Sequence, residues 1–112
     1  MLNTLQWLVV PGGPGLSNSY LKYAFEKMSI MVKTGFYDMY GSPESDNKNP
    51  SIAQMLDQVA QIINKNPTRE CGLIAHSFGS YIALKAVQQR NLNIKAIILL
   101  NPIPFELNKW KD

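Results

Sequence analysis

Residues 73–81 read LIAHSFGSY, an apolar run that stops at a small polar residue and then takes on a helical pattern. Strands buried on both faces are near-continuously apolar, which fits CGLIA at 71–75. The segment from about 78 to 90 fits a helix. A strand that passes into a helix through Ser77 alone makes a sharp turn with the hydroxyl at its tip. The two backbones nearly touch there, so the positions two residues either side must be small, and they are Ala75 and Gly79. Such a turn carries Ser77 to the carboxyl end of a central strand, where open α/β sheets bind ligands. The Phe78 amide then lies at a helix N-terminus, where it can donate to a developing oxyanion.

The flanking chain supports that setting. LQWLVV (5–10) is an apolar run that ends in PGGPG (11–15), the pattern of a buried strand opening into a Gly-rich turn. Ser17 or Asn18 can cap a helix over 18–29, with Tyr20, Leu21, Ala24, Phe25 and Met28 on its apolar side. MVKTGFYD (31–38) reads as a second strand, and GSPESDNKNP (41–50) as a polar loop. Pro50 and Ser51 open a further helix on which Ile52, Met55, Leu56, Val59, Ile62 and Ile63 repeat at helical spacing, and Asn66-Pro67 ends it. KAIILL (95–100) is a fourth strand. Strands alternating with helices predict right-handed crossovers and an α/β fold with one parallel sheet covered by helices on both faces.

Composition narrows the class. The 112 residues are 46% hydrophobic and 17% charged, within the range of one small globular domain. Eleven Lys and Arg set a net charge of +3 but never cluster into a basic face, which argues against nucleic acid. The longest apolar run, AIILL, is far short of a membrane span, and the first residues lack the pattern of a signal peptide. The lone Cys71 can form no intramolecular disulfide and no metal site, so a cytoplasmic, reducing setting is expected, without metal or cofactor. GPGLSN lacks the third glycine of a dinucleotide loop and Pro14 removes an amide donor, so PGGPG is not read as a phosphate cradle.

Three stretches in register resemble the α/β-hydrolase superfamily, and within it the proline iminopeptidase-like peptidases. AHSFG (75–79) matches the G-x-S-x-G nucleophile elbow with Ala for the first Gly. PGGPG resembles the H-G-G-P-G turn after the family's third strand, with Pro11 where His is usual. FYDMYGSPES (36–45) is similar to Y-D-Q-R-G-S-G-x-S after its fourth strand, and NPIP (101–104) to the segment after its sixth. The resemblance implies that Ser77 is the nucleophile, that the amides of Phe78 and Gly13 form the oxyanion hole, and that Asp38 is structural. It also implies the strand order 31–38, 5–10, 71–75, 95–100.

A serine nucleophile needs a base, and the base needs an orienting acid. In this family both follow the serine in chain order, the His near the end. The sequence has one histidine, His76, adjacent to Ser77, and side chains of adjacent residues on a tight elbow diverge. The chain therefore reads as strands three to six of a hydrolase core, one domain over 1–112 without first strands, cap, acid or base. Two functions follow. The chain is a serine-hydrolase portion, most like an aminopeptidase, acting on a small molecule or peptide when completed. Alternatively it is an inactive remnant or binding module that keeps the scaffold. The exposed outer strands predict a homo-oligomer or a complementing polypeptide.

Overall fold

The computed structural model describes residues 6–13, 19–27, 33–65 and 70–102. Four strands and three helices alternate: β1 (Gln6–Val10), α1 (Ser19–Glu26), β2 (Lys33–Phe36), α2 (Ile52–Asn64), β3 (Cys71–His76), α3 (Phe78–Arg90) and β4 (Ala96–Leu100). The strands form one sheet in the order β2-β1-β3-β4, with every pairing parallel. This is the expected α/β architecture in the expected order.

Side-chain alternation along β1 explains the two covered faces. Leu8 and Val10 join Leu73, Ala75 and the buried faces of α2 and α3 in the larger core. Trp7 and Val9 point the other way, where Leu21 and Phe25 of α1 cover them together with Ile74. Trp7 lies across from Gly72 in the register of β1 and β3, and its ring occupies the space a Cβ on Gly72 would take. One helix on one face and two on the other is what right-handed crossovers in opposite directions along a sheet produce.

α2 begins where its sequence allows backbone amides to be satisfied. Ser51 caps it, accepting from the Gln54 amide at 3.1 Å, while the Gln54 side chain accepts from the Ser51 amide at 2.9 Å. Asn66-Pro67, read as its stop, lie outside the described residues. So do Leu5, Ser17, Asn18, Met28 and the start of the 31–38 strand.

The end of β2, the start of β4 and the buried face of α1 differ from the sequence reading. β2 ends at Phe36 rather than at 38, because Gln58 of α2 takes over the backbone there. Gln58 donates to the Asp38 carbonyl at 2.8 Å and accepts from the Tyr40 amide at 2.9 Å, so these groups go to a side chain instead of a sheet ladder. β4 starts at Ala96, one residue after Lys95, whose amide bonds to the Cys71 carbonyl at 2.9 Å. On α1, Tyr20 and Ala24 are exposed rather than on the buried side, and Leu21 and Phe25 make the buried contact at i and i+4.

Candidate active site at the β3–α3 turn

β1 and β3 are neighbours, but their onward connections diverge. β1 leads through α1 to β2 on one side, and β3 leads through α3 to β4 on the other. A crevice opens between the carboxyl ends of two such strands, and ligands of open α/β sheets bind there. The residues at that point are Pro11, Gly12 and Gly13 after β1, and Ser77 after β3.

Ser77 sits at φ 54° and ψ −122°, a backbone conformation that L-residues other than glycine rarely adopt. It is pinned there from both sides. Its amide donates to the Leu100 carbonyl at 3.1 Å, prolonging the β3–β4 ladder, and its carbonyl accepts from the Ser80 amide at 2.9 Å. Ser77 occupies the N-cap position of α3, yet its side chain makes no capping hydrogen bond. An ordinary Ser cap has extended backbone and spends its hydroxyl on a first-turn amide. Ser77 does neither.

The small neighbours are required by backbone approach. A Cβ on Gly79 would run into the carbonyl oxygens of Val10 and Pro11, so α3 starts in direct contact with the end of β1. Ala75 is fully buried. The contact brings the loop after β1 alongside the elbow, with Gly12 next to His76. Phe78 opens α3, and a first-turn amide has no partner within its own helix.

Gly12 and Gly13 are both buried but have different surroundings. A Cβ on Gly12 would collide with the Tyr20 hydroxyl and with His76 Nδ1, whereas one on Gly13 would meet nothing within 4 Å among the described residues. The Gly12 amide donates to the Tyr20 hydroxyl at 2.8 Å, and that hydroxyl lies 2.8 Å from His76 Nδ1. The Tyr20 and His76 rings are tilted against each other with centroids 5.4 Å apart. His76 thus turns to the α1 face, like Ile74 two residues earlier, and one ring nitrogen is taken by Tyr20.

Electrostatics leave few other reactive groups. Burial pushes the Tyr20 phenol up, partly opposed by the Gly12 amide bond. Burial likewise pushes the Cys71 thiol up, partly opposed by a backbone hydrogen bond to Leu8, so it is a poor nucleophile at the far end of β3. Among the described residues no three His, Cys, Asp or Glu side chains gather as a metal site would need. A cleft of about 260 Å³ lies at the amino ends of the strands, bordered by Gln6, Gly35, Ile63 and Lys65, and shares no residue with the crevice.

The arrangement therefore holds an uncapped serine hydroxyl on a strained turn between strand and helix, at the reversal point of a parallel sheet. That combination of fold and turn defines an α/β-hydrolase type of protein. The family model for the alpha/beta hydrolase fold matches residues 8–112, and the chain belongs to that family. Comparison with curated proteins finds no match. Solved structures agree on the fold. An alpha/beta hydrolase fold protein from Burkholderia ambifaria superposes with a TM-score of 0.77 at 17% identity, over 91% of this chain and 38% of its own. A proline iminopeptidase-related protein from Thermus thermophilus gives 0.74 at 21%, over 91% and 38%. An extracellular alpha/beta-hydrolase from a Paenibacillus species gives 0.72 at 20%, over 89% and 41%. The chain spans about two fifths of the length of these structures.

The sequence named Ser77, Phe78 and Gly13 as candidates, and they lie at the β3–α3 turn, at the start of α3 and in the loop after β1. It did not single out Tyr20 beyond its place on an apolar helix face, because no spacing rule links a helix residue to a histidine 56 positions later. Gln58 was missed for the same reason. The S-x-x-Q cap at Ser51 and Gln54 was legible but not used.

Proposed function

We propose that residues 1–112 carry the nucleophile and oxyanion-hole portion of a serine hydrolase, most like an aminopeptidase. In this reading the Ser77 hydroxyl attacks the carbonyl carbon of an ester or amide, and the amides of Phe78 and Gly13 receive the negative charge that develops on its oxygen. The observation that carries it is the state of Ser77. A serine in the N-cap position with a strained backbone and an unspent hydroxyl is poorly explained as a helix cap. The resemblance to proline iminopeptidase-like peptidases and the Thermus relative favour a peptide or small-molecule substrate.

The base is the weak point of this portion taken alone. Its one histidine is held at Nδ1 by Tyr20 on the α1 side. In our reading the acid and base come from outside residues 1–112, in further chain or in a complementing polypeptide. The absence of a base within 1–112 favours a second reading, a binding module or inactive remnant that keeps the scaffold. The buried free Cys71 suits a reducing, cytoplasmic compartment. Among the described residues no helix is long and apolar enough to cross a membrane.

Labelling with a fluorophosphonate, which requires an activated serine, separates the readings. Residues 1–112 alone should label feebly, since oxyanion donors and binding leave only ~10³–10⁴-fold acceleration over water when triad members are removed. Supplying a segment with the acid and base should produce strong labelling that Ser77→Ala abolishes. No labelling with that segment present would favour the binding module.

A further inference from the structure

We infer that Tyr20 is the positioning residue of the loop after β1: its hydroxyl ties the Gly12 amide to His76 and thereby holds Gly13 at the turn that carries Ser77. The inference rests on the hydrolase reading for its chemistry, but the contact that motivates it stands on geometry alone.

A phenol oxygen can accept from one donor and give its own hydrogen to another acceptor. At Tyr20 the Gly12 amide donates at 2.8 Å, and His76 Nδ1 lies 2.8 Å from the same oxygen, taking its hydrogen or donating to it according to the imidazole tautomer. The three residues come from three separate pieces of the fold: α1, the loop after β1, and the last residue of β3. The fit is close enough that Gly12 must lack a Cβ, which would otherwise occupy the place of the Tyr20 hydroxyl.

The two adjacent glycines thus divide their work. The Gly12 amide is committed to Tyr20 and cannot donate to a substrate. Gly13, next in the chain and with nothing within 4 Å of its Cβ position among the described residues, is left to do so. Tyr20 is 39% exposed, more than an aromatic kept only for packing needs to be, while Leu21 and Phe25 beside it supply the apolar contact of α1. Burial raises the phenol pKa, so the hydroxyl stays protonated at neutral pH and can both accept and donate in the bridge. A backbone donor that stabilises an oxyanion must be in place before reaction, so a side chain that fixes the loop acts on rate without touching substrate.

The test is Tyr20→Phe, which keeps the ring and removes the bridging oxygen. Amide hydrogen exchange at Gly12 should become about tenfold faster, the size expected for one lost hydrogen bond. Fluorophosphonate labelling of Ser77, in the preparation supplied with acid and base, should slow about tenfold, less than the ~10²–10³-fold loss of a whole oxyanion donor. Tyr23→Phe, at an exposed position of the same helix, should change neither. Gly12→Ala supplies a second route, since its methyl displaces the Tyr20 hydroxyl, and it should slow labelling likewise. Unchanged Gly12 exchange in Tyr20→Phe, or labelling of either variant at the wild-type rate, overturns the positioning role and leaves the hydrolase reading standing. Wild-type chain that shows no Ser77-dependent labelling when supplied with acid and base removes the hydrolase reading, and Tyr20's role in chemistry with it.

Discussion

Ser77 is held at a backbone conformation that costs a non-glycine residue about 1–3 kcal/mol. The elbow, built of ladder bonds and the Gly79 contact, imposes that conformation. Ser77→Gly should therefore raise the stability of the chain by about 1 kcal/mol, strain relief being partly offset by the greater freedom of glycine in the unfolded state. Thermal denaturation reads this directly, and a lower melting temperature would mean the turn is not strained. The same substitution should remove Ser77-dependent labelling, so the residue trades stability for a presented hydroxyl. Tyr37 stores a cost of another kind. Its hydroxyl is buried with no partner among the described residues, and burial alone pushes its pKa far above the ordinary value of 10.0. The folded state holds the proton that the unfolded chain gives up near pH 10. The associated stability is present below pH 10 and is lost as pH rises beyond it. Tyr37→Phe should flatten that alkaline decline in urea titrations, leaving the shares due to Tyr20 and Cys71. At pH 7 it should cost nothing or add stability, since an orphaned buried hydroxyl costs about 1–3 kcal/mol.

Among the elements, the β3–turn–α3 unit does most to place the site, and its tolerance is set by Gly79. Alanine is favoured over glycine within a helix by about 1 kcal/mol, so Gly79→Ala would stabilise an isolated α3. Here the added methyl meets the carbonyl oxygens of Val10 and Pro11, which are backbone and cannot swing aside. The expected outcome is a net loss of about 1–3 kcal/mol, the usual cost of overpacking, seen as a lower urea midpoint. This unit was also the most legible in sequence. α3 was read over about 78 to 90 and runs Phe78–Arg90, because an abrupt change from continuous apolar to helical pattern marks its start. β2 was read too long, because the apolar pattern runs on through Tyr37 and Met39 after Gln58 has captured the backbone. Those two residues are buried in the core without being strand, and burial pattern alone cannot distinguish the cases. The Tyr20–His76 bridge left no trace in the sequence. It depends on how α1 crosses the sheet, which no local spacing encodes. The sign of φ at Ser77 was equally hidden, since a Ser before a helix is the same letter whether it caps the helix or turns the elbow.

Across the whole molecule, the sheet has two outer strands, β2 and β4, each with one neighbour among the described strands. β4 is AIILL, a sequence suited to burial on both sides, yet its residues are only half-buried and Ile98 is 44% exposed. Apolar edges without charged or proline gatekeepers recruit partners. Residues 1–112 in isolation should dimerise or aggregate at micromolar concentration, and Ile98→Lys should suppress it. Sedimentation of a sharp monomer peak by the unmodified chain would count against this. The parallel sheet has one more consequence, for the order of events during synthesis. No strand here can pair with its neighbour through a hairpin, and β1, flanked on both sides in the finished sheet, takes Cys71–Ala75 as one of its partners. As the chain leaves the ribosome, Trp7 and Val9 emerge long before that partner does, and α1 can shield only one of their sheet's faces meanwhile. Long-range parallel pairing is slow and leaves apolar surface open to misassembly. The crevice is thus completed late, when β3 docks and Gly79 meets Pro11. Substitutions that delay this docking will lower the yield of folded protein in cells more than they lower the melting temperature of the molecules that succeed.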